Sequence, residues 1–283
     1  MKIGIGMPNQ VRDVDPTVIP EWAKRAEAAG FSALGTIGRI AYPGVMDTVA
    51  LAAAAGATST IGLLSQVMLT TVWPGRLLAK ELAGIDGVSG GRLTLGIGLG
   101  GREDDFVVEG LGMKGLGKRL DADLESYREV WTGQPVGGGA NPGVPTGTRE
   151  VPMLIGGTAA ASFKRMAKWG AGYIVPGLPA ADAAVFFDQA RAAWREAGRV
   201  EEQRLVAGGY FALGDPDRGR ANVLDYYAGM GEYADMAAAH LSHDAESVRA
   251  TVAAFRALGV TEYMLVPATD DVTDIDRLAE IVF

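Results

Sequence analysis

Cysteine is absent from all 283 residues, which excludes a disulfide scaffold, a thiolate metal site and a cysteine nucleophile, and is compatible with a reducing cytoplasm. Histidine is scarce: His240 and His243 stand in a His-Leu-Ser-His spacing beside Asp244. A metal would need third and fourth ligands that the sequence hardly supplies, so the pair reads as a solvated helix end or loop. Positive charge is in deficit, with 26 Lys and Arg against 34 Asp and Glu and a formal net charge of −8. Such a balance repels nucleic-acid phosphates and anionic membranes, and no cluster of cations offsets it. Long apolar runs are missing as well. The uncharged stretch between Asp47 and Arg76 is broken by Gly56, Thr58, Ser59, Thr60, Ser65, Gln66, Thr70 and Thr71, and reads as an Ala-rich helix followed by a strand. Met1–Pro8 carries one cation and then an alternating strand, which is not a signal-peptide pattern. The expected setting is cytoplasmic, with no nucleic-acid or membrane partner.

What is present is a globular balance, 48% hydrophobic and 21% charged, with 40 glycines, about twice the usual share. Short apolar or β-branched runs near 2–7, 32–37, 60–68, 92–98, 152–156, 171–175, 205–213 and 260–266 read as strands. Helical patterns near 18–29, 45–56, 75–88, 119–131, 158–169, 180–198, 244–258 and 274–282 fill the gaps. Eight βα units with right-handed crossovers close most economically into a single-domain (β/α)8 TIM barrel over residues 1–283; a doubly wound open sheet is the other solution. Residues 99–118 and 132–150 are expected as mobile surface loops, the first as a lid on the active face and the second as a connector at the other end. Residues 214–243 are long enough to hold one or two extra helices over the mouth.

In such a barrel, function gathers at the C-terminal ends of the strands. This places Met7, Asn9, Gly38, Arg39, Ser65 to Met68, Gly98 to Gly101, Gly156 to Thr158, Pro176 and Gly177 at the mouth. No His and no close pair of carboxylates occurs there, so the chemistry must come from a cofactor. Gly96-Ile97-Gly98-Leu99-Gly100-Gly101 matches the dinucleotide-binding expression, but Arg102-Glu103-Asp104-Asp105 follows where a pyrophosphate would need an uncharged helix start. The run reads instead as a strand passing close to a flat ring or another backbone. Pro152–Ala161 reads as strand, glycine turn and helix start, with Thr158 as N-cap and free N–H groups suited to a phosphate monoester; an ordinary capped turn is the alternative. Arg39 is the one cation that directly ends a strand, either a surface ion pair or a group that steadies a ring oxygen or an anionic intermediate. Trp22, Trp131, Trp169 and Trp194 read as packing between helices and barrel, and Trp73 as a pocket residue.

Ala26-Glu27-Ala28-Ala29-Gly30-Phe31, Pro74 with Leu78-Ala79-Lys80-Glu81-Leu82, Ser89-Gly90-Gly91-Arg92-Leu93-Thr94-Leu95-Gly96, Asp105-Phe106 and Trp131-Thr132-Gly133 together resemble the bacterial luciferase-like flavin-dependent oxidoreductases, in order up to about residue 175. The resemblance implies a (β/α)8 barrel with FMN, or the deazaflavin coenzyme of related reductases, at its C-terminal mouth. It implies that Gly156, Gly157 and Thr158 hold the flavin phosphate and that Gly98, Leu99, Gly100 and Gly101 pass beside the ring. It further implies a non-prolyl cis peptide near Ser65 and Gln66. Met7, Gly38, Ser65, Gln66, Pro176 and Gly177 complete the expected cofactor site, and Arg39 is the candidate catalytic residue. The chain departs from the family pattern in having Gly38-Arg39 where many members carry an acid or amide and then His, and Gly101 where deazaflavin sugar dehydrogenases use Glu. A sugar dehydrogenase and a light-emitting enzyme are therefore not expected. The implied activity is oxygenation of a small apolar substrate by reduced FMN; deazaflavin-dependent hydride transfer and a non-catalytic flavin-binding barrel are the alternatives. A homodimer through the Ala-rich 49–57 helix is the expected assembly.

Overall fold

The computed structural model describes all residues from Met1 to Phe283. Its strands are β1 (Lys2–Gly6), β2 (Ala33–Thr36), β3 (Gly62–Leu69), β4 (Leu93–Gly98), β5 (Met153–Gly156), β6 (Gly172–Ile174), β7 (Arg204–Phe211) and β8 (Glu262–Pro267). All pair in parallel with their sequence neighbours, and β8 returns to β1 with Lys2 opposite Glu262. That last pairing closes the (β/α)8 barrel and excludes the open sheet. The helices are α1 (Val18–Ala28), α2 (Asp47–Ala57), α3 (Gly75–Val88), α4 (Asp104–Val107), α5 (Leu116–Trp131), α6 (Ala160–Trp169), α7 (Ala180–Glu196), α8 (Pro216–Tyr226), α9 (Glu232–Ala239), α10 (Ala245–Ala257) and α11 (Thr273–Val282). The pair α8 and α9 fills the long segment over the mouth. The single turn α4 was not anticipated.

The helices dock through apolar stripes. In α1, Ile19, Trp22, Ala23 and Ala26 are buried at helical spacing, and Trp22 Nε1 donates to the Gly6 carbonyl at 2.9 Å. Gly30, at φ +89°, then ends the helix in a left-handed turn. The main core lies between strands and helices; a second, much smaller one fills the barrel axis with Ala33, Leu64, Leu154, Ile174, Val206 and Met264. At the N-terminal end of the strands, Arg204 pairs with Glu262 at 3.1 Å and donates to Thr94 Oγ1 at 2.9 Å, while Ser32 Oγ donates to Glu262 at 2.6 Å. Strand alternation puts the next inward residues toward the mouth at Gly6, Gly35, Gly98, Gly156 and Gly208. The axis is thus plugged below, packed in the middle and left without side chains above.

Arg92, in the turn from α3 into β4, ties the base of this scaffold. Its guanidinium donates to the carbonyls of Ser89, Ile61, Ala55 and Thr58 and to Thr58 Oγ1, at 2.6 to 3.1 Å. It joins the C-terminal end of α2 to the starts of β3 and β4. An ammonium has three donors for these five acceptors and lacks the planar fork. Arg92→Lys should therefore destabilise the fold by about 2–3 kcal/mol, read as a lower midpoint in urea unfolding; an unchanged midpoint would remove Arg92 from this role.

Candidate functional site

The bare upper rim opens into a cavity of about 810 Å³ at the C-terminal mouth. Its floor and one side come from Gln66, Val67, Gly98, Gly156 and Gly208, and the opposite side from Tyr210, Tyr226, Tyr227 and Tyr233. The glycines are required here. A Cβ on Gly98 would stand 2.5 Å from Val67 Cγ2, and one on Gly208 would stand 3.2 Å from Gln66 Nε2. The Gln66 amide lies between Gly35 and Gly208, with its Oε1 buried and unpartnered. A non-prolyl cis peptide joins Gln66 and Val67, in the neighbourhood of Ser65 and Gln66 that the family resemblance implied.

Across the floor, β5 runs into a turn at Gly156, Gly157 and Thr158. Gly157 has φ +108°, a left-handed conformation suited to glycine, and α6 starts at Ala160 with Ala159, in extended backbone, as N-cap. Thr158 is therefore not the N-cap, and its hydroxyl makes no bond to the protein. The N–H groups of Gly157, Thr158 and Ala159 donate to no backbone carbonyl. Pro176 and Gly177, at the end of β6, face the same space. Unsatisfied donors at a helix start form an anion cradle whose position the positive-φ glycine fixes.

Eleven of the fourteen expected site residues line the cavity: Gly38, Gln66, Gly98, Leu99, Gly100, Gly101, Gly156, Gly157, Thr158, Pro176 and Gly177. Three do not. Met7 is fully buried off the cavity, and Ser65 points away from the axis, its Oγ held between the Gly96 carbonyl at 2.9 Å and N–H at 3.0 Å. Arg39 stands off the cavity in an ion-pair clasp. Its side chain, 6% exposed, pairs with Asp104 and with Asp105 at 3.2 Å. Burial works against its charge, but Asp105 and Asp104 outweigh it and hold its pKa above the ordinary arginine value. Asp105 also accepts the N–H groups of Ile40 and Ala41, each at 2.9 Å, and Phe106 packs with Val72 and Leu116. The centre of the 99–118 loop, expected to be mobile, is pinned to the end of β2. Trp73 borders a narrow crevice beside Arg39 rather than the cavity.

The residues missed by sequence reasoning lie on the far wall. Tyr226 and Tyr227 end α8 with ring centroids 5.0 Å apart, Tyr233 packs 5.0 Å from Tyr227, and the Tyr210 and Tyr227 hydroxyls are 3.1 Å apart. Burial raises all four phenols above their ordinary pKa, so they remain protonated donors. Their crowding into 210–233, half of the chain's eight tyrosines, was the available signal. Arg102 reaches the same wall, its guanidinium carbon 4.8 Å from the Tyr226 centroid and 4.9 Å from that of Tyr227. His240 lies at the rim, its Nδ1 2.9 Å from the Met236 carbonyl. No helix is long and apolar enough to cross a membrane.

The chain matches the profile of the luciferase-like monooxygenases over residues 1–278, and it belongs to that family. The uncharacterized protein Rv0940c of Mycobacterium tuberculosis is 29% identical over 179 residues, covering 52% of this chain and 61% of the relative; the chain thus spans about three fifths of the length of the curated relatives it matches. Among solved structures, an F420-dependent secondary alcohol dehydrogenase superposes with a TM-score of 0.80 at 18% identity, covering 100% of this chain and 98% of that one. Monooxygenase RslO1 from Streptomyces bottropensis gives 0.79 at 21% identity, with coverage of 100% and 98%. The oxygenating constituent of 3,6-diketocamphane monooxygenase from Pseudomonas putida, in complex with FMN, gives 0.74 at 14% identity, with coverage of 99% and 95%. At these identities the structural likeness speaks for the fold.

Behind Gly38 stands a carboxyl that the mouth list did not include. Asp47 opens α2, and its Oδ2 lies 2.1 Å from where a Cβ on Gly38 would be, so any side chain at 38 would collide with it. It is buried, its Oδ1 has no hydrogen-bond partner, and burial pushes its pKa up to about 7. The unfolded chain releases this proton near the ordinary value of 3.8. Between about pH 4 and pH 7 the folded state therefore holds more protons than the unfolded state, and stability falls as pH rises through that window. Asp47→Asn removes the titration. It should match the parent near pH 4 and exceed it at pH 8 by up to about 4 kcal/mol in urea unfolding; a difference independent of pH would contradict the assignment.

Proposed function

We propose that the chain is a cytoplasmic flavin-dependent oxidoreductase that binds FMN at the barrel mouth and oxidises a small organic substrate with oxygen. The observation carrying this reading is a cavity that runs from an anion cradle, over a glycine floor, to a tyrosine wall. The parts fit a flavin. Gly157, Thr158 and Ala159 offer N–H donors to a phosphate, the bare rim at Gly98, Gly156 and Gly208 admits a flat ring, and Gln66 Oε1 is an acceptor for a ring N–H. When bound, the flavin supplies the redox chemistry that no side chain on these walls provides. The protein's share is to hold and orient the partners, to exclude water with the tyrosine wall and the pinned 99–118 loop, and to keep phenolic donors protonated over them.

A deazaflavin-dependent hydride transfer is the second reading. It draws support from the F420-dependent structural neighbours and from Arg102, a cation on the cavity wall that no carboxylate of the protein pairs. A homodimer through the 49–57 face of α2, where Val49 is exposed, belongs to the same proposal; light scattering on the purified protein should give twice the chain mass.

The deciding measurement is titration with oxidised and reduced FMN and, separately, with the deazaflavin coenzyme, followed by visible spectrum and tryptophan fluorescence. Saturable FMN binding with turnover of a reduced cofactor supports oxygenation, deazaflavin binding alone supports reduction, binding without turnover supports a sequestering barrel, and binding of neither refutes the flavin reading. Gly157→Asp places charge and bulk against the cradle and should weaken the preferred cofactor roughly 100-fold or more; unchanged affinity would refute the phosphate assignment.

A further inference from the structure

Arg102 is an anomaly in the charge distribution. Of the arginines withdrawn from solvent, it alone donates to no carboxylate and no carbonyl: Nε and Nη2 are buried without a partner, and it takes part in none of the ion pairs. Asp104 and Asp105 are used on Arg39, and Glu103, next in the chain, is exposed and pairs with no cation. Its guanidinium is held against the Tyr226 and Tyr227 rings, which position the cation, and its polar neighbour there is the neutral Tyr226 hydroxyl, which brings no counter-charge. A desolvated cation without a counter-ion is costly in a folded chain. In a protein of net charge −8, with acidic side chains available, such a charge is explained if its counter-ion arrives with a ligand.

The cavity wall defines that ligand further. No Asp, Glu or Lys lines the cavity, so Arg102 is its one permanent charge. Around it stand Tyr210, Tyr227, Tyr233, Met230 and Met236, an apolar and aromatic surface with phenolic donors. The opposite end already has its own anion cradle at Gly157 to Ala159. We propose that Arg102 is the recognition site for a substrate carboxylate, so that the substrate class is an apolar or aromatic monocarboxylic acid whose body lies against the tyrosine and methionine wall. The planar fork of guanidinium donors suits the two oxygens of a carboxylate. This inference rests on reading the cavity as shared by a cofactor and a substrate, and it assigns the wall remote from the cradle to the substrate.

The test uses benzoate as probe and benzamide as its uncharged counterpart, titrated calorimetrically into the purified protein with and without a saturating concentration of the cofactor it binds. Benzoate should bind at least ten-fold tighter than benzamide, and Arg102→Gln should abolish that preference. Arg102→Lys, which keeps the charge but not the fork, should retain part of it, and near-UV circular dichroism of both variants should match the parent. Cofactor affinity should change less than two-fold in both. An unchanged benzoate preference in Arg102→Gln would overturn the proposal. So would a large loss of FMN or deazaflavin affinity with benzoate binding intact, which would give the cation to the phosphate or tail of the cofactor. Because the benzoate titration without cofactor needs no flavin, failure of the flavin reading and failure of this one are distinguishable.

Discussion

The space along the barrel axis governs everything above it. Eight parallel strands normally fill their own interior with alternating side chains, and in the middle of this barrel Leu64, Leu154, Ile174, Val206 and Met264 do so. One step further toward the mouth, the inward positions of β1, β2, β4, β5 and β7 are glycine, and Gln66, Pro176 and Val266 take the corresponding positions on or just past β3, β6 and β8. The missing volume cannot collapse, because the strand backbones are held by their ladders and by the helices packed outside. A floor of exposed backbone results. It could be tiled neither by a larger residue at Gly98, which Val67 obstructs, nor by one at Gly208, which the Gln66 amide obstructs.

Charge is used with comparable economy around that floor. Asp105 satisfies two backbone N–H groups after β2 and pairs with Arg39, so one buried carboxylate joins the mouth loops that follow β2 and β4. Breaking such a pair leaves a buried charge uncompensated, which makes the clasp a strong constraint on loop position whatever its net contribution to stability. Asp47 is the opposite case, a carboxyl with no cation near enough to pair, kept neutral by its surroundings over much of the acidic range. The mouth thus contains a paired acid and an unpaired one, on either side of the segment that follows β2.

Much of this was legible in the sequence. The βα repeats imply the barrel, the Gly-Gly-Thr segment marks the turn after β5, and the long 214–243 segment announces helices over the mouth. Strict alternation would have gone further: Ser65 and Gln66 are neighbours on one strand and cannot both face the axis, and with Gly4 and Gly6 inward, Met7 follows on the other side. Arg39 and Arg102 were beyond such reasoning. Both are cations just past a strand, and which of them is free depends on where Asp104 and Asp105 point, across some 65 residues of chain. Thr158 looked like an N-cap because its residue type suits one, but Gly157 takes a positive φ and the cap falls one residue later, on Ala159. In each case a tertiary arrangement or a backbone torsion overrode a sound local preference.

The two sides of the cavity come from different parts of the chain. The floor and the cradle belong to strands whose geometry is shared around the whole barrel, so a change there disturbs many neighbours. Apart from Tyr210 on β7, the tyrosine wall belongs to one excursion between β7 and α10, fastened at a few points such as Tyr42 to Asp225 and Asn222 to the Ala268 carbonyl. Mutations can therefore accumulate in that excursion at their own pace. Within a lineage that keeps one barrel, the two walls are free to diverge as separate modules, the conservative one inherited almost whole and the other rewritten as new compounds are met.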